Sequence, residues 1–274
     1  MKIIADSSCD MAVLPGMEFS TVPLIISTDE REFVDGESLN VDEMLTFIEH
    51  YKGRTGTACP SIQGFLEALG DAKEAFIVTM TGALSGTYGS ACAAKDQYLQ
   101  EHPEAKVYVI DSRSTGPGLR LLLEKLAEMH EKGFVFEEMC RRIEEYKATN
   151  RLYFGLKSID NLAKSGRVNK LIASAVGLLG ISILGTASPE GTIEPIGKSR
   201  GDRGLVKDTI NAMKTAGYKG GKVRINNVLN PAISEALKSA IVSEFPNADI
   251  LCYQAYGLNS FYAERNGFIL GCEC

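Results

Sequence analysis

The sequence predicts an α/β protein in two parts, residues 1–150 and 151–274. Three observations predict it. The chain has 274 residues, close to twice the ~150 that one domain commonly takes. Its first half alternates short apolar runs with amphipathic stretches, the rhythm of βαβ units. From Arg151 that rhythm gives way to a hairpin-containing α+β pattern.

Lys2-Ile3-Ile4-Ala5 reads as a strand running into Asp6-Ser7-Ser8. Val22-Pro23-Leu24-Ile25-Ile26 reads as a second strand, with Pro23 near an end or on an edge. Asn40 and Glu43 have the spacing of a reciprocal capping pair and open a helix whose Met44, Leu45, Ile48 and Tyr51 share one face, with Gly53 marking its end. Pro60 stands where a first helical residue would, and Ile62, Phe65, Leu66 and Leu69 follow at helical spacing. Ala75–Met80 and Val107–Ile110 are apolar runs of buried-strand length, with a helix beginning near Ser85 between them. Two helices follow, Gly118–Lys132 and Phe136–Thr149.

In the second part Leu152–Leu156 reads as a strand, Ser158–Lys164 as a short helix stopped by Gly166, and Asn169–Leu179 as a helix of small and apolar residues. Ile181–Ala187 and Thr192–Ile196 are the strands of a hairpin about Ser188-Pro189-Glu190-Gly191. Helix, strand, helix and strand carry the chain through Asp249–Tyr253. Cys272-x-Cys274 reads as a tail.

Composition narrows the function. With 45% hydrophobic and 23% charged residues the chain is globular. Lys and Arg number 29 against 35 Asp and Glu, a net charge of -6, so there is no electrostatic case for nucleic acid or for an anionic membrane surface. The seven cysteines are odd in number and lack metal-ligand spacing, so a reducing cytoplasm is expected and no metal is. Met1–Asp6 is too short and polar for a signal peptide. The most apolar stretch, Leu171–Ala187, is interrupted by Ser174, Gly177, Gly180, Ser182 and Gly185 and falls short of the ~20 apolar residues of a membrane span. His50, His102 and His130 have no His or Cys at ligand spacing. There is no Walker loop, no G-x-G-x-x-G after a strand and no G-x-S-x-G elbow, so no catalytic residue is expected.

What remains is a set of hydroxyls where strands end. The strand ending at Met80 runs into Thr81-Gly82-Ala83-Leu84-Ser85-Gly86-Thr87, inside which a helix starts. A helix amino terminus with nearby hydroxyls can hold an anionic head group, although Ser85 or Thr87 can equally be a plain cap. Thr57-Ala58-Cys59-Pro60-Ser61 repeats the arrangement. Ligands of open α/β sheets sit at the carboxyl ends of strands, so the two turns can converge on one anion. Asp6-Ser7-Ser8 and Asp111-Ser112 also follow strands and read as turn-stabilising.

These segments resemble the DegV family along nearly the whole chain. The marks are Asp6-Ser7, Val22-Pro23-Leu24, Asp35-Gly36, Thr57-Ala58-Cys59-Pro60-Ser61 in place of T-S-Q-P-S, Leu84-Ser85-Gly86-Thr87-Tyr88 with Ser90-Ala91, and Val109-Ile110-Asp111-Ser112. Leu162-Ala163-Lys164-Ser165-Gly166-Arg167 is similar to L-x-x-G-G-R, and Lys198-Ser199-Arg200-Gly201 to K-x-R-T. The resemblance implies an α/β/α three-layer domain with a mainly parallel sheet, a second α+β domain that contributes to an acyl-chain tunnel, and a long-chain fatty acid as bound ligand. It also implies a separate fatty acid kinase as partner, to which the acyl carboxylate is presented. On that reading Thr57, Ala58, Ser85, Gly86 and Thr87 surround the carboxylate, while Arg167 and Arg200 face the kinase or the phosphoryl group. Leu171–Ala187 then reads either as a tunnel wall or as ordinary tight helix packing.

The sequence departs from the family at Ala58, which lacks a hydroxyl, and at Cys59, which replaces an amide. Ile181-Ser182-Ile183-Leu184 stands in for the family's I-K-P-I-L strand. The C-terminal H-x-G-P-G element is missing, and Tyr262 stands at its histidine by distance from the end. A phenol there can still donate to a carboxylate, while Glu264 brings negative charge close unless Arg265 pairs it. Two other readings stay open: a small-metabolite phosphotransferase or kinase-like enzyme using Asp6, Asp111 or Arg200, and a protein-interaction module.

Overall fold

The computed structural model describes residues 1–168 and 180–274; the expected helix Asn169–Leu179 lies outside them. The first part runs β1 (Lys2–Asp6), a 3-10 turn (Ser7–Cys9), β2 (Glu18–Val22), β3 (Ile25–Thr28), β4 (Glu32–Val34), α1 (Val41–His50), β5 (Thr55–Ala58), α2 (Ile62–Leu69), β6 (Glu74–Thr79), α3 (Thr87–Glu101), β7 (Lys106–Asp111), α4 (Pro117–Glu131) and α5 (Phe136–Thr149). Among the described residues β2-β1-β6-β7 form a four-stranded sheet in that order, parallel at every pairing. Alternation along its strands supplies both helical layers. Ile3, Ala5, Phe76 and Val78 join Leu119, Leu122, Leu126 and Met139 of α4 and α5 in one cluster. Ile4, Ala75 and Ile77 join Phe65 and Leu69 of α2 and Ala91, Ala94 and Tyr98 of α3 on the other face. The result is a three-layer α/β/α arrangement.

The second part runs β8 (Asn150–Leu156), α6 (Asp160–Lys164), β9 (Ile181–Ala187), β10 (Ile193–Arg200), α7 (Gly201–Thr215), β11 (Gly221–Asn227), α8 (Pro231–Glu244), β12 (Ala248–Gln254), α9 (Gly257–Ala263) and β13 (Phe268–Glu273). Its six-stranded sheet has the order β10-β9-β8-β13-β11-β12, antiparallel except between β11 and β12. Tyr153, Val223, Ile225, Phe268 and Leu270 bury one face under Leu205 and Met213 of α7 and Leu237 and Ile241 of α8. Leu152, Phe154, Leu156 and Ile269 point to the opposite face, toward Ile26, Phe33, Met44 and Phe261. A small antiparallel sheet, β4-β3-β5, lies on that side. Helix α4 serves both large sheets, since a β-carbon on Gly271 of β13 would stand 2.9 Å from the Pro117 carbonyl carbon.

Four expectations are corrected. Val22–Ile26 is not one strand: Pro23 has no N–H for a ladder, so β2 stops at Val22 and β3 starts at Ile25 in another sheet. Helix α2 begins at Ile62 rather than Pro60, because Ser61 is its cap and accepts from the Gly64 N–H at 3.0 Å. Helix α1 ends at His50, with Tyr51 as its C-cap, and its cap works in one direction. The Asn40 side chain accepts from the Glu43 N–H at 3.2 Å, while the Glu43 carboxylate turns to Arg31. The carboxyl-terminal residues are no tail: α9 and β13 follow Tyr253, and Cys272 is fully buried inside the six-stranded sheet. The apolar run Phe268-Ile269-Leu270 drives that strand to the sheet's interior.

Candidate functional site

Two strand-to-helix turns of the α/β/α layer face the six-stranded sheet across a cavity of about 830 Å³, counting the open space at its mouth. Leu152, Phe154, Leu156 and Ile269 of the sheet form one apolar wall, and Leu24, Leu84, Leu162, Leu258 and Ala263 close much of the rest. The polar lining is concentrated in hydroxyls: Thr57, Thr81, Ser85, Ser114, Thr115, Thr192 and Tyr262, joined by Asn259. Arg113 and Arg167 supply the charge, and no Asp or Glu among the described residues lines the cavity. The field inside therefore favours an anion, although the chain as a whole carries -6.

The two turns singled out in the sequence reach the same cavity, one through Thr57 and the other through Ser85. Strand β5 alternates, so Thr57 points into the cavity and Ala58 is exposed. The Thr57 hydroxyl lies 2.8 Å from the Tyr262 hydroxyl of α9, and both residues line the cavity. Ser85 lines the cavity one turn ahead of α3. Its Oγ lies 2.8 Å from Thr87 Oγ1 and accepts from the Thr87 N–H at 3.3 Å. Thr87 is itself fully buried and stands outside the cavity lining, its hydroxyl against Ser85. Gly86 is the N-cap of α3 and makes no side-chain cap; a β-carbon there would stand 3.2 Å from Cys59 Sγ. Arg167 donates from Nε to the Leu84 carbonyl at 3.4 Å and from a terminal nitrogen to the Ser165 carbonyl at 2.7 Å. That anchors the α6 end over the Ser85 turn. Arg200 stands apart: it ends β10, is exposed, and is not in the cavity lining.

Glu264 leaves the site alone without help from Arg265. Its carboxylate accepts from the Asn161 N–H at 2.9 Å, and burial pushes its pKa up. Arg265 instead pairs with Asp42 and Glu49 of α1.

The expected tunnel wall reaches the described residues only through β9, whose Ala187 lines the cavity. The tip of the following hairpin borders the cavity through Gly191 and Thr192. Thr81 Oγ1 donates to the Gly191 carbonyl at 2.9 Å, and Arg113 donates to the Pro189 carbonyl at 3.0 Å. Sequence reasoning missed Thr81, Arg113, Ser114, Thr115 and Asn259. The first four directly follow the parallel strands β6 and β7, so the carboxyl-end rule held the signal. Asn259 sits on α9, for which the sequence offered no signature.

Asp6 and Asp111 take turn-stabilising roles. Asp6 accepts from the Met80 N–H at 2.6 Å and from Ser8, and Asp111 accepts from the N–H groups of Gly82 and Arg113. Burial raises the Asp6 pKa to about 6. Asp10 and Asp35 are buried beside it; burial raises the first to about 7 and the second above its usual value. Both hold the start of α9, Asp10 through the Tyr256 N–H at 2.8 Å and the Asn259 amide at 3.0 Å, Asp35 through the Leu258 N–H at 3.1 Å. Among the described residues no group of three or more His, Cys, Asp or Glu could hold a metal, and no helix is long and apolar enough to cross a membrane.

Fold and cavity define a class of protein: an α/β chain of two large sheets and one small one with an apolar cavity beneath its strand-to-helix turns. The chain belongs to the DegV family, whose model, described as an uncharacterised protein of that family, matches residues 1–257. A DegV domain-containing protein of Streptococcus pneumoniae is 41% identical over 99% of this chain and 98% of its own length. Among solved structures, a DegV family protein from Eubacterium eligens loaded with heptadecanoic acid superposes with a TM-score of 0.98 at 50% identity, covering 99% of each chain. The Streptococcus pneumoniae fatty acid kinase B3 protein loaded with linoleic acid gives 0.97 at 41% identity, covering 99% of this chain and 98% of its own.

Proposed function

We propose that this protein binds a long-chain fatty acid, with the acyl chain in the cavity and the carboxylate among Thr57, Ser85 and Tyr262, and that it presents the ligand to a separate kinase without catalysing a reaction itself. One observation carries this reading: an apolar cavity lined, among the described residues, by two arginines, no acid and a set of hydroxyls. Burying acyl methylenes gains ~0.8 kcal/mol each, so the cavity supplies most of the affinity. A carboxylate held without donors would be strongly disfavoured there, and the hydroxyls and Arg167 meet that need. The fatty acids carried by the two similar solved proteins support the ligand class, and the kinase B3 protein supports the partner. Thr87 acts by aiming Ser85, and Arg200 is free to meet a partner because it is exposed. We place the division between the two parts near residue 150, with the ligand between them, and the protein in the cytoplasm.

Native mass spectrometry of freshly purified protein tests this. An acyl-sized adduct that is lost on delipidation and restored by fatty acid is the expected result. A clean apo mass with no rebinding would sink it.

A further inference from the structure

Phe154 carries the largest side chain on the sheet wall of the cavity, yet the cavity stays open beside it. The reason lies on the neighbouring strand. Phe154 of β8 is directly opposite Gly185 of β9, and a β-carbon on Gly185 would fall on the Phe154 ring edge, at Cε2 and Cζ, closer than carbon atoms can approach. The ring therefore lies across β9 in the space that only a glycine leaves. Gly185 is not among the residues with left-handed backbone angles, so room for the ring, rather than conformation, is what a side chain there would remove. On its other flank Phe154 is opposite Ile269 of β13, which also lines the cavity. A ring driven off β9 finds Ile269 on that side and can only stand up into the cavity.

We infer that Gly185 is a specificity-determining residue, which sets the bore of the cavity by giving the Phe154 ring a place to lie and thereby sets which acyl chains fit. This rests on the fatty-acid reading above. A straight saturated chain passes a narrowed section more easily than one bent by a cis double bond, so the Gly185–Phe154 pair acts mainly on bent and long chains.

The test compares affinities for a saturated and a cis-unsaturated fatty acid of equal length in four proteins: the unmodified chain, G185A, F154L and the double variant G185A/F154L. In G185A affinity for the bent chain falls about tenfold relative to the straight one, the change expected when contacts worth roughly two methylenes are lost. The double variant shows the ratio of F154L rather than that of G185A, because a leucine needs no space over residue 185. Circular dichroism confirms that each variant is folded. The alanine would also stand 2.9 Å from the Glu194 carbonyl oxygen, so if G185A fails to fold, F154L carries the test: it must shift the ratio toward the bent chain. An unchanged ratio in folded G185A, or in F154L where that variant carries the test, overturns the inference and leaves the fatty-acid reading standing. Absence of fatty-acid binding by the unmodified chain overturns that reading, and the inference with it.

Discussion

The hydroxyls of Thr57 and Tyr262 lie 2.8 Å apart although 205 residues separate them in sequence. One belongs to the small sheet and the other to α9, so the contact joins distant parts of the chain at the cavity. Either can donate outward while accepting from the other. Tyr262→Phe removes one donor and leaves the ring in place; fatty-acid affinity should fall by about 1–3 kcal/mol. Isothermal titration of the delipidated protein reads this, and an unchanged affinity would remove Tyr262 from the head-group site.

Ser85 and Thr87 form a second unit. Replacing both by Ala deletes the hydroxyl on the cavity and the one that aims it, and should weaken binding by about 1–3 kcal/mol. Thr87→Val alone should give a smaller loss, since Ser85 keeps its bond from the residue 87 N–H. An equal or larger loss in the single variant would mean that Thr87 itself meets the ligand.

The hairpin tip that borders the cavity is held by Thr81 and Arg113. Thr81→Val with Arg113→Ala removes both bonds, and the ligand should then leave faster by roughly tenfold, as the loss of one to two net hydrogen bonds implies. Stopped-flow displacement of a fluorescent fatty acid measures the rate. An unaltered rate in a folded variant would show that ligand leaves elsewhere.

Asp6 and Asp10 make stability fall as pH rises. Their folded pKa values, about 6 and about 7, exceed the unfolded carboxylate value of about 3.9. Between those limits the native state binds more protons than the unfolded chain, so the unfolding free energy decreases with rising pH. The penalty is absent below about pH 4 and complete above about pH 7. Urea midpoints should therefore rise from pH 7.5 to pH 5.5, reflecting a gain in unfolding free energy on the order of a few kcal/mol; Glu124 and Glu137, held below their ordinary value of 4.5, act only at lower pH. A midpoint that falls over this range would contradict the burial of these carboxylates.

Gly271 lets β13 approach the first turn of α4. Gly271→Ala would set a methyl 2.9 Å from the Pro117 carbonyl carbon and 3.0 Å from its oxygen. Backbone cannot yield as a side chain can, so a destabilisation of about 1–3 kcal/mol is expected. A thermal melt with no change would place slack at this contact.

Local chemistry made much of the fold legible. Short continuous apolar runs marked β6 and β7, and turn residues marked the β9–β10 hairpin, because those signals act over a few residues. Helix α9 was not legible. It has no capping side chain of its own, and its first N–H groups are met by Asp10 and Asp35, more than two hundred residues earlier. Strand β13 gave only a short apolar run, and its partners Gly155 and Ile225 lie far away in sequence. The site followed the same division. Hydroxyls beside strand ends could be read directly, whereas Asn259, on the unmarked helix, could not. Tyr262 was placed only through resemblance.

Strand β13 lies between β8 and β11, in the middle of the six-stranded sheet. A growing polypeptide therefore holds that sheet as two separate flaps, β10-β9-β8 and β11-β12, until residue 273 has left the ribosome. Ile269 is then also missing from the cavity wall. The exposed strand edges on β8 and β11 of such an incomplete chain are the surfaces a chaperone would have to shield.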